Sequence, residues 1–176
     1  AWDPVQKKTR WEIEMPAWWN GGVLTTAGNL LLQGTGDGRL VAYAADTGRT
    51  VWALPTMIGI IAPPITYEVD GEQYIAVMAG YGGAGGVTGG DPHTMASAKY
   101  VNSGYVLAFK LDGRAPMPRV AERNAAIPEP PAIDATPAQI ENGKYQFMAN
   151  CMVCHGALAI SGGVTPDLRM LTAEKH

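Results

Sequence analysis

The chain has 176 residues and a formal net charge of −3, with a pI near 5.6. That is room for one domain or a little more, and without a lysine- or arginine-rich run it offers no footprint for nucleic acid. The apolar run at 57–62 already contains Gly59 and is far short of the ~18 residues a bilayer crossing needs, so no membrane anchor is expected. Glycine (22) and proline (13) are abundant, and the aromatics lean to tryptophan and tyrosine, which favours a turn-rich β protein.

The first residues, Ala1-Trp2-Asp3-Pro4, fall inside a motif, so the chain is expected either to be processed or to lack its beginning. Residues 1–11 have a spaced echo at residues 42–52: Ala1 with Ala42, Lys8 with Arg49 and Trp11 with Trp52 all stand 41 positions apart. A period of roughly 40 to 45 residues carrying one tryptophan is that of a four-stranded propeller blade. Between the echoes, 22–26, 30–34 and 39–43 read as strands, with turns at Gly28-Asn29 and Gly36-Asp37-Gly38. Asp46-Thr47-Gly48 then leads into a strand at 49–53. Trp11 and Trp52 are read as packing groups between blades. A buried indole covers ~150 to 250 Å², a few kcal/mol of gross stabilisation at about 25 cal/mol/Å².

A third copy starts with strands at 64–69 and 72–78 around Asp70-Gly71, a hairpin signal, and resumes at Gly104-Tyr105-Val106-Leu107-Ala108-Phe109. It lacks the closing tryptophan, as at a last blade. Between these parts, residues 79–90 hold seven glycines. Gly80-Tyr81-Gly82-Gly83-Ala84-Gly85 formally matches Gly-x-Gly-x-x-Gly, yet 86–92 cannot open a helix and no acidic residue stands ~20 positions on, so no dinucleotide fold is expected. What remains is a surface excursion, or a glycine-lined wall where backbone approaches a flat cofactor. His93 reads as a solvated loop residue, with a ligand role as the alternative. Trp18-Trp19-Asn20-Gly21-Gly22 reads as a packed aromatic corner.

Six prolines at 116, 118, 128, 130, 131 and 137 rule out helix interior or central strand and favour an extended linker. Beyond it, Thr136 with Gln139 fits a capping box and Pro137 suits the first helical position. Ile140, Gly143, Phe147 and Cys151 then share one helical face. The helix runs into Cys151-Met152-Val153-Cys154-His155. Cys-x-x-Cys-His is the attachment signature of a c-type haem: two thiols on one turn can each add to a vinyl group, and the adjacent imidazole reaches the iron. A dithiol has no use for the histidine. A zinc site would need two further ligands, and the only other histidines are His93 and His176.

Gly143-x-x-x-Phe147-x-x-x-Cys151-x-x-Cys154-His155 resembles the first helix of class I cytochromes c. The chain as a whole resembles the PQQ-dependent quinohaemoprotein alcohol dehydrogenases. The resemblance is carried by Ala1, Asp3, Lys8 and Trp11; by Ala42, Thr47, Gly48, Arg49 and Trp52; by Pro64-Ile65-Thr66-Tyr67; by Tyr74-Ile75-Ala76-Val77; and by Cys151 to His155. Ala44 departs from the repeat's usual aspartate. The fold implied is mainly β, the last blades of an eight-bladed propeller at 1–114, a proline-rich linker at 115–136, and the start of a cytochrome c domain at 137–176.

The resemblance implies oxidation of an alcohol to an aldehyde at PQQ with calcium, electrons passing through haem c to an external acceptor such as a cupredoxin, a cytochrome or a ubiquinone-linked subunit. It places the whole in the periplasm, with membrane association through other subunits. Cys151 and Cys154 would bind the porphyrin covalently and His155 would be the proximal iron ligand. The carbonyl of Pro166 would accept the imidazole's other N–H. Gly83 and Ala84 would line the quinone pocket. The catalytic residues and calcium ligands are expected outside this stretch, and the sixth haem ligand after it, because Met170 follows Pro166 too closely to cross the ring. Fewer than three blades cannot close a propeller, so the rest of the same polypeptide is an expected partner. Two other readings remain: a c-type cytochrome with a non-catalytic propeller module, and a structural β fragment whose cysteines form an ordinary disulfide or dithiol.

Overall fold

Hairpins whose turns are spelled out in the sequence build three antiparallel sheets in the computed structural model, which describes residues 1–82, 93–123, 126–161 and 164–172. Strands β1 (Trp2–Asp3) and β2 (Lys8–Thr9) form a short ribbon. A full four-stranded sheet follows in the order β3 (Val23–Thr25), β4 (Leu30–Thr35), β5 (Arg39–Ala44), β6 (Thr50–Pro55). The third sheet has the order β7 (Ile65–Val69), β8 (Glu72–Ala79), β9 (Tyr105–Lys110).

The repeat seen in the sequence is a repeat of pairing register. Trp2 faces Thr9 across β1 and β2, and Tyr43 faces Thr50 across β5 and β6, the same two positions displaced by 41. The ribbon is therefore the outer edge of a blade that precedes the complete one. The β7–β8 turn has two residues, Asp70 at φ 53° and Gly71 at φ 77°. Positive φ at both central positions matches the right-handed twist of the flanking strands, which is why Asp-Gly is favoured there.

The tryptophans join neighbouring sheets, as the sequence suggests, but unequally. Half-buried Trp11 donates from Nε1 to the Ala45 carbonyl at 3.0 Å, and its ring lies so close to the next turn that a Cβ on Gly48 would stand 2.7 Å from it. Trp52, its counterpart, meets Phe109 of β9 edge-on at 6.4 Å and stays exposed. The turn after Phe109, Asp112-Gly113, is one residue shorter than Asp46-Thr47-Gly48, and the nearest atoms that a Cβ on Gly113 would meet all belong to Lys110.

Between the two larger sheets lies an apolar core of Leu40, Ile58, Ile60, Val77, Ala79 and Leu107. Two close approaches set their separation. A Cβ on Gly34 would stand 2.0 Å from Ile60, and one on Gly59 would stand 1.9 Å from the Tyr81 ring. A second buried cluster, Ala17, Tyr81 and Met95, is flanked by Trp19 and Ile61. Trp19 thus packs as the aromatic corner requires, whereas Trp18 is exposed.

The proline-rich segment is not a free tether in its first half. Met117 and Val120 pack on the core, the Val101 amide donates to the Ala121 carbonyl at 2.8 Å, and the Arg123 amide donates to the Lys99 carbonyl at 2.8 Å. A short helix, α1 (Ala96–Lys99), supplies the surface it lies against, where the sequence suggested only a loop. Beyond it α2 (Pro137–Asn150) begins with the expected capping box and Pro at its first turn. No residue of α2 is buried, and Ile140, Tyr145 and Met148 are exposed; an added Cβ at Gly143 would meet nothing within 4 Å. No helix among the described residues is long and apolar enough to cross a membrane.

Gly59→Ala is expected to destabilise the fold by about 1–3 kcal/mol through overpacking against Tyr81. Thermal unfolding followed by tryptophan fluorescence measures it, and an unchanged midpoint would refute the close packing of the two sheets.

Candidate functional site

The cysteine motif continues the end of α2. Cys151 caps α2, its amide donating to the Phe147 carbonyl at 2.8 Å, and α3 (Met152–His155) follows at once. The amides of Cys154 and His155 both donate to the Cys151 carbonyl, at 3.1 and 2.9 Å. This hydrogen bonding places both thiols and the imidazole on one turn. Both cysteines are free thiols, Cys151 partly buried and Cys154 exposed.

Gly156, at φ 78° and ψ 160°, ends the turn in a conformation essentially confined to glycine. The reversal lets the chain come back over the motif. The Pro166 carbonyl lies 3.0 Å from His155 Nδ1, which leaves Nε2 as the ring nitrogen available to a metal. A histidine ligand is normally oriented by such a bond on its other nitrogen. Thr165 adds a second tie, donating from Oγ1 to the Cys154 carbonyl at 2.5 Å, and Ser161 Oγ donates to the Thr165 carbonyl.

Next to this loop Asp167 accepts from Arg169 Nη2 at 2.7 Å and from its Nε at 3.0 Å. Burial pushes the Asp167 carboxyl up, but the hydrogen bonds from Arg169 and the charges of Arg169 and Arg123 outweigh it and hold the group below its ordinary range. The pair fixes the short turn at Leu168–Met170, which carries Met170 at the surface.

The second region of interest is the root of the glycine-rich loop. Gly83 and Ala84 lie outside the described residues, while Tyr81, just before that stretch, is held in place. Tyr81 is clamped through its backbone by Asn102: the Tyr81 amide donates to Asn102 Oδ1 at 2.8 Å, and Asn102 Nδ2 donates to the Tyr81 carbonyl at 2.9 Å. The buried Tyr81 hydroxyl donates to the Gly36 carbonyl at 2.6 Å and lies 3.1 Å from Met95 Sδ. Burial, helped by the Asp37 charge, pushes this phenol above its ordinary pKa, so it stays a donor. Beside it a recess of about 440 Å³ opens between Ile61, Ala62, Met78, Gly82 and Gly104. His93 is exposed. No group of three or more His, Cys, Asp or Glu side chains able to hold a metal ion occurs among the described residues.

Sequence reasoning picked out Cys151, Cys154, His155 and Pro166, which the structure brings together. It passed over Thr165, Asn102 and Arg123, which reach carbonyls distant in the chain, and Ser161, which binds the nearby Thr165 carbonyl. The Asp-Gly turns, the tryptophan register and the stacked sheets define a class of fold, the β-propeller. The family model for the glucose/ethanol/alcohol dehydrogenase β-propeller domain, named for PQQ, matches residues 2–75.

Relatives extend the match along the whole chain. Quinohemoprotein alcohol dehydrogenase ADH-IIG of Pseudomonas putida is 47% identical over 100% of this chain and 24% of its own length. A solved structure of ADHIIG from Pseudomonas putida HK5 superposes with a TM-score of 0.80 at 46% identity, over 99% of this chain and 25% of that one. The quinohemoprotein alcohol dehydrogenase structure from Comamonas testosteroni gives 0.73 at 38%, over 98% of this chain and 24% of that one. The chain is similar to the quinohaemoprotein alcohol dehydrogenases along its whole length and spans about a quarter of the length of these relatives.

Gly156→Ala is expected to cost about 1–3 kcal/mol, the strain of a side chain in that backbone region. It would also pull the Pro166 carbonyl away from His155. Thermal unfolding, together with the imidazole proton chemical shift of His155, reads both effects; a variant matching wild type in both would show that the reversal does not need glycine.

Proposed function

We propose that this chain is part of a periplasmic quinohaemoprotein alcohol dehydrogenase and that its own share of the work is to take electrons out of the propeller. The observation that supports this reading most directly is the turn Cys151 to His155, with two free thiols on one helical turn and an imidazole whose Nδ1 is 3.0 Å from the Pro166 carbonyl. The relatives, named for alcohol oxidation and for both quinone and haem, supply the rest.

In this reading residues 1–114 are propeller blades, 115–136 join the two parts, and 137–176 begin a cytochrome c domain. The donor set fits a c-type haem. Cys151 and Cys154 would hold the porphyrin through thioethers, and His155 would offer Nε2 to the iron. Gly83 and Ala84 would form part of the wall beside PQQ, rooted by Tyr81 and Asn102, while calcium and the catalytic base would be held by residues elsewhere in the polypeptide. Bound in these places, the quinone would take two electrons and two protons from the alcohol, and the haem would pass the electrons one at a time to an external acceptor.

What this chain's residues do is positional. The Phe147 and Cys151 carbonyls hold the thiols on one turn, the Pro166 carbonyl fixes the plane of the imidazole, and the Thr165 hydroxyl holds the Cys154 peptide. The exposed apolar side chains of α2, Ile140, Tyr145 and Met148, are left for the remainder of the haem domain to cover.

The full-length polypeptide, freed of divalent ions and quinone, is expected to oxidise short-chain alcohols only once calcium and PQQ are restored. It should carry haem that survives a denaturing gel, and Cys151→Ala with Cys154→Ala together should abolish that covalent haem. A colourless polypeptide, or one whose thiols are joined to each other, would overturn the reading. A haem protein inert towards alcohols after full reconstitution would make it a cytochrome with a binding module instead.

A further inference from the structure

Arg123 stands where three parts of the chain meet. Its Nη1 donates to the Ser97 carbonyl in α1 at 2.9 Å and to the Ser161 carbonyl, in the loop after the cysteine motif, also at 2.9 Å. Its own amide is tied to the Lys99 carbonyl at 2.8 Å, and Tyr100 and Glu122 pair alongside. The guanidinium is thus anchored on the propeller side through its backbone. Its head then reaches across to the other part.

From Ser161 the connection continues without a gap. Ser161, itself buried, donates to the Thr165 carbonyl, Thr165 donates to the Cys154 carbonyl, and the next residue, Pro166, faces His155. A planar guanidinium holding two carbonyls from one nitrogen fixes direction as well as distance, which a lysine ammonium on a mobile stem does poorly. Both acceptors are backbone atoms, so the arrangement records the position of the chain rather than the identity of a side chain.

We propose that Arg123 is a positioning residue that sets where the Cys151–His155 turn stands relative to the propeller and thereby sets the rate at which electrons reach it. The proposal rests on the reading given above. One-electron transfer between two fixed centres falls steeply with their separation, so a clasp between the parts acts on the rate without touching either centre. It also implies that the length of the chain between Arg123 and α2 has little influence, because the Arg123 to Ser161 contact closes that loop.

The test uses the full-length, cofactor-loaded polypeptide and three variants: Arg123→Met, which keeps the bulk and removes the donors; Arg123→Lys; and a Gly-Ser insertion between Ala132 and Ile133. Rapid mixing with alcohol reads the rate at which ferric haem becomes ferrous. Redox titration reads its midpoint potential, and hydrogen exchange reads the amides of Val101 and Arg123. Arg123→Met is expected to slow haem reduction about tenfold or more at an unchanged potential, with faster exchange at those amides and partial recovery in Arg123→Lys. The insertion is expected to leave the rate within about twofold of wild type.

A wild-type rate in Arg123→Met, or a slowed rate that follows a shifted potential, would overturn the proposal. So would an insertion that slows haem reduction as much as Arg123→Met does, and that arm decides the matter if Arg123→Met does not fold. Wild-type polypeptide that shows no haem reduction by alcohol would instead refute the functional reading on which the proposal stands.

Discussion

Everything in the β part depends on how closely two sheets can approach where glycine replaces a side chain. Gly34 under Ile60 and Gly59 under Tyr81 leave no room for a Cβ, and this lets Leu40, Ile58, Val77 and Leu107 close into one core. Interiors at crystal-like density transmit such constraints directly. Tyr81 then reaches the Gly36 carbonyl, so the spacing of the sheets also places the root of the glycine-rich loop. The packing of the sheets and the position of Tyr81 share one cause.

The second part obeys a different economy. Helix α2 buries nothing of its own, and the cysteine turn is held by backbone carbonyls and short loops rather than by a core. Gly156 reverses the chain, Pro166 meets the imidazole, and Thr165 and Ser161 tie the loop to the turn. Hydrogen bonds of this kind fix orientation while contributing modestly to stability, about 0.5–1.5 kcal/mol each.

Between the two parts the proline-rich segment has a double character. Prolines at 116 and 118 keep it extended, and Met117 and Val120 between and after them face the core. It therefore lies along the edge of the β part as far as Arg123, and residues 126–136, up to the cap of α2, are mostly exposed. Trp11 and Trp52 show how the surroundings of one repeated residue differ: the first finds a glycine turn to rest on, and the second meets only the edge of Phe109.

What the residues alone determined is the local chemistry. While the repeat is read from an echo 41 positions on, the hairpin pairings and the Asp-Gly turn follow from patterns within ten or so positions, and so do the capping box at Thr136 and Gln139 and the two-thiol turn with its histidine. Side-chain alternation and φ preferences act at that range. The part of the proline eleven residues on was readable only through the resemblance to cytochromes c. The tertiary structure decided the rest: that 115–123 lies against the β part, that α1 forms beneath it, that Asn102 clamps the Tyr81 backbone, and that Arg123 joins Ser97 to Ser161. Most of those contacts are made to backbone groups that every residue possesses, so no pattern of side chains announces them; only the packing of the sheets brings the partners within reach.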